Sequence, residues 1–160
     1  MKRRMIRLAL WVGVTGMAVL IFLMSAQTGD ASMASSDSVV LPVLKLIGRL
    51  HALSDEAKDS LYWTLQLIVR KAAHVSEYAL LSFLQRMLLA SYSCRHAGLR
   101  AWLLSLAYAA TDEMHQSLVS ARSAQFTDVL VDACGALLGV SAAWAVARLA
   151  VSIHHSKEEP

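Results

Sequence analysis

The sequence predicts an all-α protein whose helices form a bundle across a membrane. Hydrophobic residues make up 56% of its 160 residues, and its mean hydropathy of +0.47 is high for a water-soluble domain. The apolar residues gather in segments long enough, as helices, to cross the hydrocarbon core of a bilayer, and short polar stretches separate these segments. The prediction is four transmembrane helices and a short amphipathic helix in the first extracytoplasmic loop, in a single domain over residues 1–160.

The first predicted span covers residues 8–24, an uncharged apolar run that measures about 26 Å as a helix. A cleaved signal peptide is the alternative, because it too has basic residues followed by an apolar run. The run is longer than the core of a usual signal peptide, and Met24 is a poor residue three positions before a cleavage after Ala26. A retained anchor is therefore favoured.

The polar segment that follows, residues 25–38, is rich in small residues and predicts a loop. Apolar residues then recur at helical spacing over residues 39–50, which predicts an amphipathic helix on the membrane surface or over the bundle. Ser54 is expected to cap a further helix, with Asp55 and Glu56 favourably placed in its first turn.

Three more spans are predicted over residues 72–92, 99–119 and 126–153, followed by a polar tail. A loop over residues 93–98 and a tight connection over residues 120–125 join them.

Basic residues flank three sites that share one side of a four-span protein: Lys2, Arg3, Arg4 and Arg7, then Arg86, Arg95 and Arg100, then Arg148 and Lys157. The positive-inside rule assigns this side, and hence both termini, to the cytoplasm. The net charge of +3 is explained by this distribution, so no nucleic-acid partner is predicted.

Polar side chains occur inside or beside these spans, where charge is expensive and usually functional. The topology places three sets of them at similar depth, near the outer surface. The first set is Arg70, Lys71, His74, Glu77 and Tyr78, the second is Asp112, Glu113 and Gln116, and the third is Arg122, Asp128 and Asp132. The bundle is therefore expected to gather them into one site.

Helical spacing narrows this expectation. Arg70, His74 and Glu77 stand at i, i+4 and i+7 and share one helix face. Asp128, Asp132, Gly135 and Gly139 also share a face, and the two glycines form a GxxxG pattern that lets another helix approach closely. Asp112 and Glu113 point about 100° apart, so only one needs to face the centre, and Gln116 is expected on the Glu113 side.

At these residues the chain resembles the VanZ-like family of small bacterial membrane proteins. The segments that carry the resemblance are RKAAHVSEYALL (residues 70–81), AYAATDEMHQSLVSARSAQFTDVLVDACGALLG (residues 107–139) and, more weakly, IFLMSAQTGD (residues 21–30). One departure is Ser120-Ala121 before Arg122, where the family tends to have Pro-Gly.

The resemblance implies a multi-pass protein of the bacterial inner membrane, in a family named after a protein associated with resistance to the glycopeptide teicoplanin. It also implies that the three polar sets, with Gly135 and Gly139, are the family's positions. It does not imply a reaction.

Three functions stay open from the residues. The first is an enzyme that acts on an envelope lipid or lipid-linked precursor. His74, Glu77, Asp112 and Glu113 would act as acid and base or hold a divalent cation such as Mg, Mn or Zn, while Arg70, Lys71 and Arg122 would bind an anionic headgroup. Tyr78, Gln116, Asp128 and Asp132 complete the predicted binding residues. No HExxH, serine elbow or CxxC motif supports a known hydrolase chemistry.

The second is a non-catalytic transport, drug-binding or lipid-binding protein with a proton relay. The third is a purely structural lock, which would include an Arg122–Asp128 pair. The oligomeric state is not predicted.

Overall fold

The computed structural model describes residues 1–50, 53–119 and 125–155. These residues form five α-helices: α1 (Lys2–Ser25), α2 (Gly29–Leu50), α3 (Asp55–Ser91), α4 (Ala97–Gln116) and α5 (Phe126–His155). The all-α prediction is confirmed. The bounds of α1, α4 and α5 follow the predicted spans, whereas the connection over residues 120–124 and the end of the tail, residues 156–160, lie outside the described part.

Helices α1, α3, α4 and α5 alternate in direction. At one end of the bundle the Arg7 guanidinium, near the start of α1, donates to the carbonyl of Ser91 at the end of α3 (2.6 Å). Helix α4 runs parallel to α1, because the Tyr108 hydroxyl donates to the Ala18 carbonyl (2.7 Å) and His115 stacks on Phe22. Helix α5 runs parallel to α3.

Two segments are long and apolar enough to cross a membrane by length and composition: Lys2–Ser25 and Phe126–Ala150. Helices α3 and α4 are not among them. Their hydropathy is lowered by polar side chains, among them Glu77 and Arg86 in α3 and Asp112 and Glu113 in α4.

The predicted loop over residues 25–38 is wrong for most of its length, because α2 begins at Gly29. The Thr28 hydroxyl oxygen accepts from the backbone N–H of Ala31 (3.3 Å) and so caps the first turn. The Ser35 and Ser36 hydroxyls donate to carbonyls four residues earlier in the helix. Serine-rich segments are typical of loops, but a serine whose hydroxyl bonds a backbone carbonyl of its own helix is compatible with a helix. The predicted amphipathic helix is therefore the second half of a longer one.

Helix α3 is one continuous helix of 37 residues. Its start agrees with the prediction, since the Ser54 hydroxyl oxygen accepts from Ala57 N–H (3.3 Å) and Asp55 and Glu56 occupy the first turn. At the standard rise it is about 55 Å long, whereas a hydrocarbon core is about 30 Å thick. The predicted span over residues 72–92 is thus only its C-terminal part.

The N-terminal part of α3 pairs with α2. Asp37 accepts hydrogen bonds from the Tyr62 hydroxyl (2.9 Å) and the Gln66 amide (2.6 Å), and Gln66 is buried. The hydrogen bond to Asp37 raises the pKa of the Tyr62 phenol. These bonds hold α2 in a fixed position along α3.

The closest helix contact lies between α3 and α5. A Cβ on Gly135 would lie 2.5 Å from the Val75 carbonyl oxygen, and one on Gly139 would overlap the Ala79 carbonyl oxygen. The Ser82 hydroxyl crosses the same interface and donates to the Ala136 carbonyl (2.7 Å). The prediction that GxxxG is a packing face is confirmed.

Substituting Gly139 by valine is expected to separate α3 from α5, because the new side chain would meet backbone rather than a movable side chain. Overpacking costs about 1–3 kcal/mol, and contact with backbone should place this variant at the upper end. Thermal unfolding of the purified protein in detergent measures the effect. The matched control is Gly16→Val in α1, where an added Cβ meets nothing within 4 Å. Equal unfolding temperatures for the two variants would contradict the close contact.

Candidate functional site

A pocket of about 180 Å³ lies where α1 ends, α2 begins and α3 passes both. Arg70, His74 and Glu77 of α3 line it, together with Asp112 of α4. Ser25 at the end of α1 and the serines of α2 complete the polar part of its lining. The prediction that Arg70, His74 and Glu77 share a face is confirmed, and the bundle brings this face to Asp112.

Basic residues gather at the other end of the bundle. Arg7 lies over the Tyr92 ring (4.1 Å) and Arg148 over the Trp144 ring (4.6 Å). Gly98 at the start of α4 faces Val140 of α5, close to the Arg86 side chain. The pocket and the flanking basic residues therefore occupy opposite ends.

His74 is held by an aspartate of α5. Its Nδ1 lies 3.2 Å from the Asp132 carboxylate, and Asp132 is only 2% exposed. A carboxylate beside one ring nitrogen fixes the orientation of an imidazole. Since His74 lines the pocket, Asp132 acts as the residue that positions it.

One turn earlier, the Lys71 ammonium pairs with Asp128. Residue numbers rise together along α3 and α5, from the Lys71–Asp128 and His74–Asp132 pairs to the contacts of Gly135 and Gly139 with α3. The two helices are therefore parallel. The predicted partner of Asp128, Arg122, lies outside the described residues. The structure assigns Lys71 to Asp128.

Asp112 is 4% exposed, and one of its oxygens accepts from the Gln116 amide (3.0 Å). The expectation that Gln116 lies on the Glu113 side is wrong, because Gln116 turns back one helical turn to Asp112. The other oxygen, Oδ1, is buried and has no hydrogen-bond partner among the described residues. Asp112 is thus the member of the adjacent pair that lines the pocket.

Glu113 has a different position. Its carboxylate accepts from the backbone N–H of Gln125, immediately before α5 begins, and its side chain is buried. Glu113 therefore ties the end of α4 to the start of α5. The structure brings His74, Glu77 and Asp112 to one pocket and leaves Glu113 outside its lining.

Tyr78 lies one residue beyond Glu77 and is fully buried. Its ring lies 6.3 Å from that of Tyr108, and its hydroxyl has no hydrogen-bond partner within the described ranges. It belongs to the packed core below the pocket, with Ile21 and Leu81.

The serine wall was not predicted as part of the site. Ser32, Ser35 and Ser36 line the pocket from α2, and Ser25 does so from α1. Ser25 is buried, and its hydroxyl lacks a partner in the described chain. The available signal was the spacing of Ser32, Ser35 and Ser36, which places them on one face once the segment is taken as a helix.

A divalent metal site receives no geometric support from the parts that the structure describes. Over residues 1–50, 53–119 and 125–155, no group of three or more His, Cys, Asp or Glu side chains is arranged to hold a metal ion.

The comparisons with known proteins return a family. The model of the VanZ/LLP1 family matches residues 10–148, which include α2, α3 and α4, most of α1 and α5, and the whole pocket lining. Neither the curated proteins nor the solved structures contain a match.

Exchanging the charges of Lys71 and Asp128 tests their pairing. Lys71→Glu and Asp128→Lys each place like charges together and are expected to destabilise the protein, and the double exchange should restore part of the loss. A partly exposed pair is worth about 1 kcal/mol or less, and the double-mutant cycle isolates it.

Chemical unfolding of the four proteins in detergent gives the coupling energy. Lys58→Glu is the control, since Lys58 pairs with the exposed Asp55 of its own helix. Additive effects of the two single substitutions would show that the pair is not formed.

Proposed function

Because the chain belongs to the VanZ/LLP1 family, we propose that it is a multi-pass protein of the bacterial cytoplasmic membrane that binds a small anionic headgroup. The headgroup belongs to an envelope lipid or a lipid-linked precursor, and it occupies the pocket lined by Arg70 and Asp112. The observation that carries the proposal is Arg70, an arginine that lines this pocket and has no ion-pair partner among the described residues.

Four spans are the arrangement that this proposal requires: α1, the second part of α3, α4 and α5. The alternating directions of these helices support it. The distribution of polar and apolar side chains supports it as well, because Asp112, Gln116 and Asp132 are buried while large apolar side chains face outward. Examples of the latter are Leu80, Leu99, Leu103, Leu104, Leu137 and Leu138. Intramembrane polar residues that face the bundle interior are the usual pattern in membrane proteins.

The orientation follows from the basic end of the bundle. By the positive-inside rule, Arg7, Arg86, Arg100 and Arg148 lie at the cytoplasmic side. Both termini are then cytoplasmic and the pocket opens at the outer leaflet. In this orientation α2 and the first part of α3 form a helical hairpin outside the membrane.

Arg70 is suited to a phosphate. A guanidinium forms bidentate, charge-assisted hydrogen bonds with phosphate oxygens. The neighbouring cationic groups are already engaged, since Lys71 pairs with Asp128 and His74 contacts Asp132. Arg70 is therefore the group in this pocket that is available for an anion.

The volume of the pocket limits what it can hold. Sites for drug-sized ligands measure about 300–1,000 Å³, whereas this pocket measures about 180 Å³. A whole glycopeptide antibiotic or a complete peptidoglycan precursor would not fit. A single small headgroup would, with the acyl or polyprenyl chain left in the bilayer.

His74 supports a second candidate, modification of the bound lipid. Contact between Nδ1 and Asp132 leaves the other ring nitrogen to exchange a proton with a ligand, which is the arrangement of a general base with its orienting carboxylate. Modification of an envelope lipid would also link this chain to the antibiotic resistance associated with the protein after which the family is named.

Arg70→Gln is expected to weaken binding of an anionic lipid at least about tenfold, which corresponds to about 1.4 kcal/mol. Native mass spectrometry of the protein in nanodiscs measures the bound lipid. Lys58→Gln is the matched control, because Lys58 lies on the same helix away from the pocket. If Arg70→Gln binds the lipid like the unmodified protein, the proposed site is wrong.

His74→Gln separates binding from modification. It should retain the lipid while abolishing any change in lipid composition that expression of the protein causes, as measured by lipid mass spectrometry of the cells. Asp132→Asn should reduce the same change to a lesser degree, because it removes only the positioning group. A change in lipid composition that persists with His74→Gln would exclude His74 as the general base, and expression of the unmodified protein without any such change would favour a protein that only binds.

A further inference from the structure

We propose that the headgroup in this pocket carries a primary ammonium beside its anionic group, so that the ligand is of the phosphoethanolamine type. This inference rests on the proposed function, since it assumes that Arg70 receives the phosphate. It adds a second contact, in which Asp112 and the serine wall receive the ammonium.

Asp112 is the first support. Its side chain is buried, one oxygen is bonded to Gln116, and the other has no partner among the described residues. A buried carboxylate oxygen without a hydrogen bond is costly. A ligand that donates to this oxygen removes the cost and brings the opposite charge.

No described cation already fills this role. Lys71 and His74 contact aspartates of α5, and Arg70 does not lie within ion-pair distance of Asp112 although both line the pocket. The pocket is lined by the Arg70 guanidinium and by the carboxylates of Glu77 and Asp112, and Arg70 and Asp112 are not paired with each other. A small zwitterion satisfies both.

The serine wall is the second support. The hydroxyl protons of Ser35 and Ser36 are committed to carbonyls of their own helix, so their oxygens are left with lone pairs and act as acceptors. The Ser25 hydroxyl is buried without a partner in the described chain and is free to accept as well. This side of the pocket is rich in acceptors, and an ammonium with three N–H donors matches it.

The need for both a positive charge and N–H donors distinguishes phosphoethanolamine from related headgroups. A trimethylammonium carries the charge but has no N–H to donate, and it is larger. A glycerol group has hydroxyl donors but no charge to pair with Asp112. Phosphoethanolamine has both properties and is the smallest of the three, which suits a pocket of about 180 Å³.

Binding of three soluble headgroups to the full chain in detergent tests this inference: phosphoethanolamine, phosphocholine and glycerol 3-phosphate, with inorganic phosphate as the reference. Phosphoethanolamine is expected to bind at least about tenfold more tightly than the other three, because only its ammonium makes charge-assisted hydrogen bonds to Asp112. Nanodiscs that contain phosphatidylethanolamine, phosphatidylcholine or phosphatidylglycerol form the second arm. They show whether the source is the lipid or the free headgroup.

Asp112→Asn should remove the preference for phosphoethanolamine while leaving binding at the level of inorganic phosphate, whereas Arg70→Gln should lose all four ligands. Ser36→Ala is a milder variant that should reduce the preference without affecting the fold. Equal binding of the three headgroups by the unmodified protein would overturn this inference and leave the proposed function intact. Binding of none of them, in either arm, would overturn the proposed function itself.

Discussion

Helices α3 and α5 run parallel and touch backbone to backbone, since Gly135 and Gly139 place no side chain between them. This contact sets the positions of the charged residues one and two turns away. Because the helices are close and parallel, Lys71 meets Asp128 and His74 meets Asp132. The glycine contact and the polar pairs are therefore consecutive parts of the interface between α3 and α5. The glycine contact determines the geometry of the polar pairs.

In a low-dielectric bundle each buried charge needs a partner, and most of the polar residues here satisfy one another. Asp128 and Asp132 pair with residues of α3, Glu113 accepts a hydrogen bond at the start of α5, and Gln116 donates one to Asp112. The remaining groups lie around one pocket and include Arg70 and one oxygen of Asp112. The proposed binding function depends on these groups rather than on the number of charged residues in the helices.

Much of the candidate site was predictable because its signals are local. The i, i+4, i+7 spacing of Arg70, His74 and Glu77 fixes a helix face without knowledge of the rest of the fold. The glycine spacing in α5 likewise identifies a packing face. The first half of α2 was missed for the opposite reason. Its serines and Gly29 are typical of a loop, and they are helical here because Thr28 caps the turn and Asp37 bonds to Tyr62 and Gln66. Such long-range bonds leave no periodic signal.

By itself, the sequence determined the all-α class, the positions of the apolar helices, and the shared face of Arg70, His74 and Glu77, because these properties follow from helical periodicity over a few turns. Only the tertiary structure decided which acid meets which base. Adjacent residues such as Asp112 and Glu113 separate according to helix rotation, one toward the pocket and one toward Gln125. Pairing depends on distances between helices that lie far apart in sequence, and those distances are set by packing.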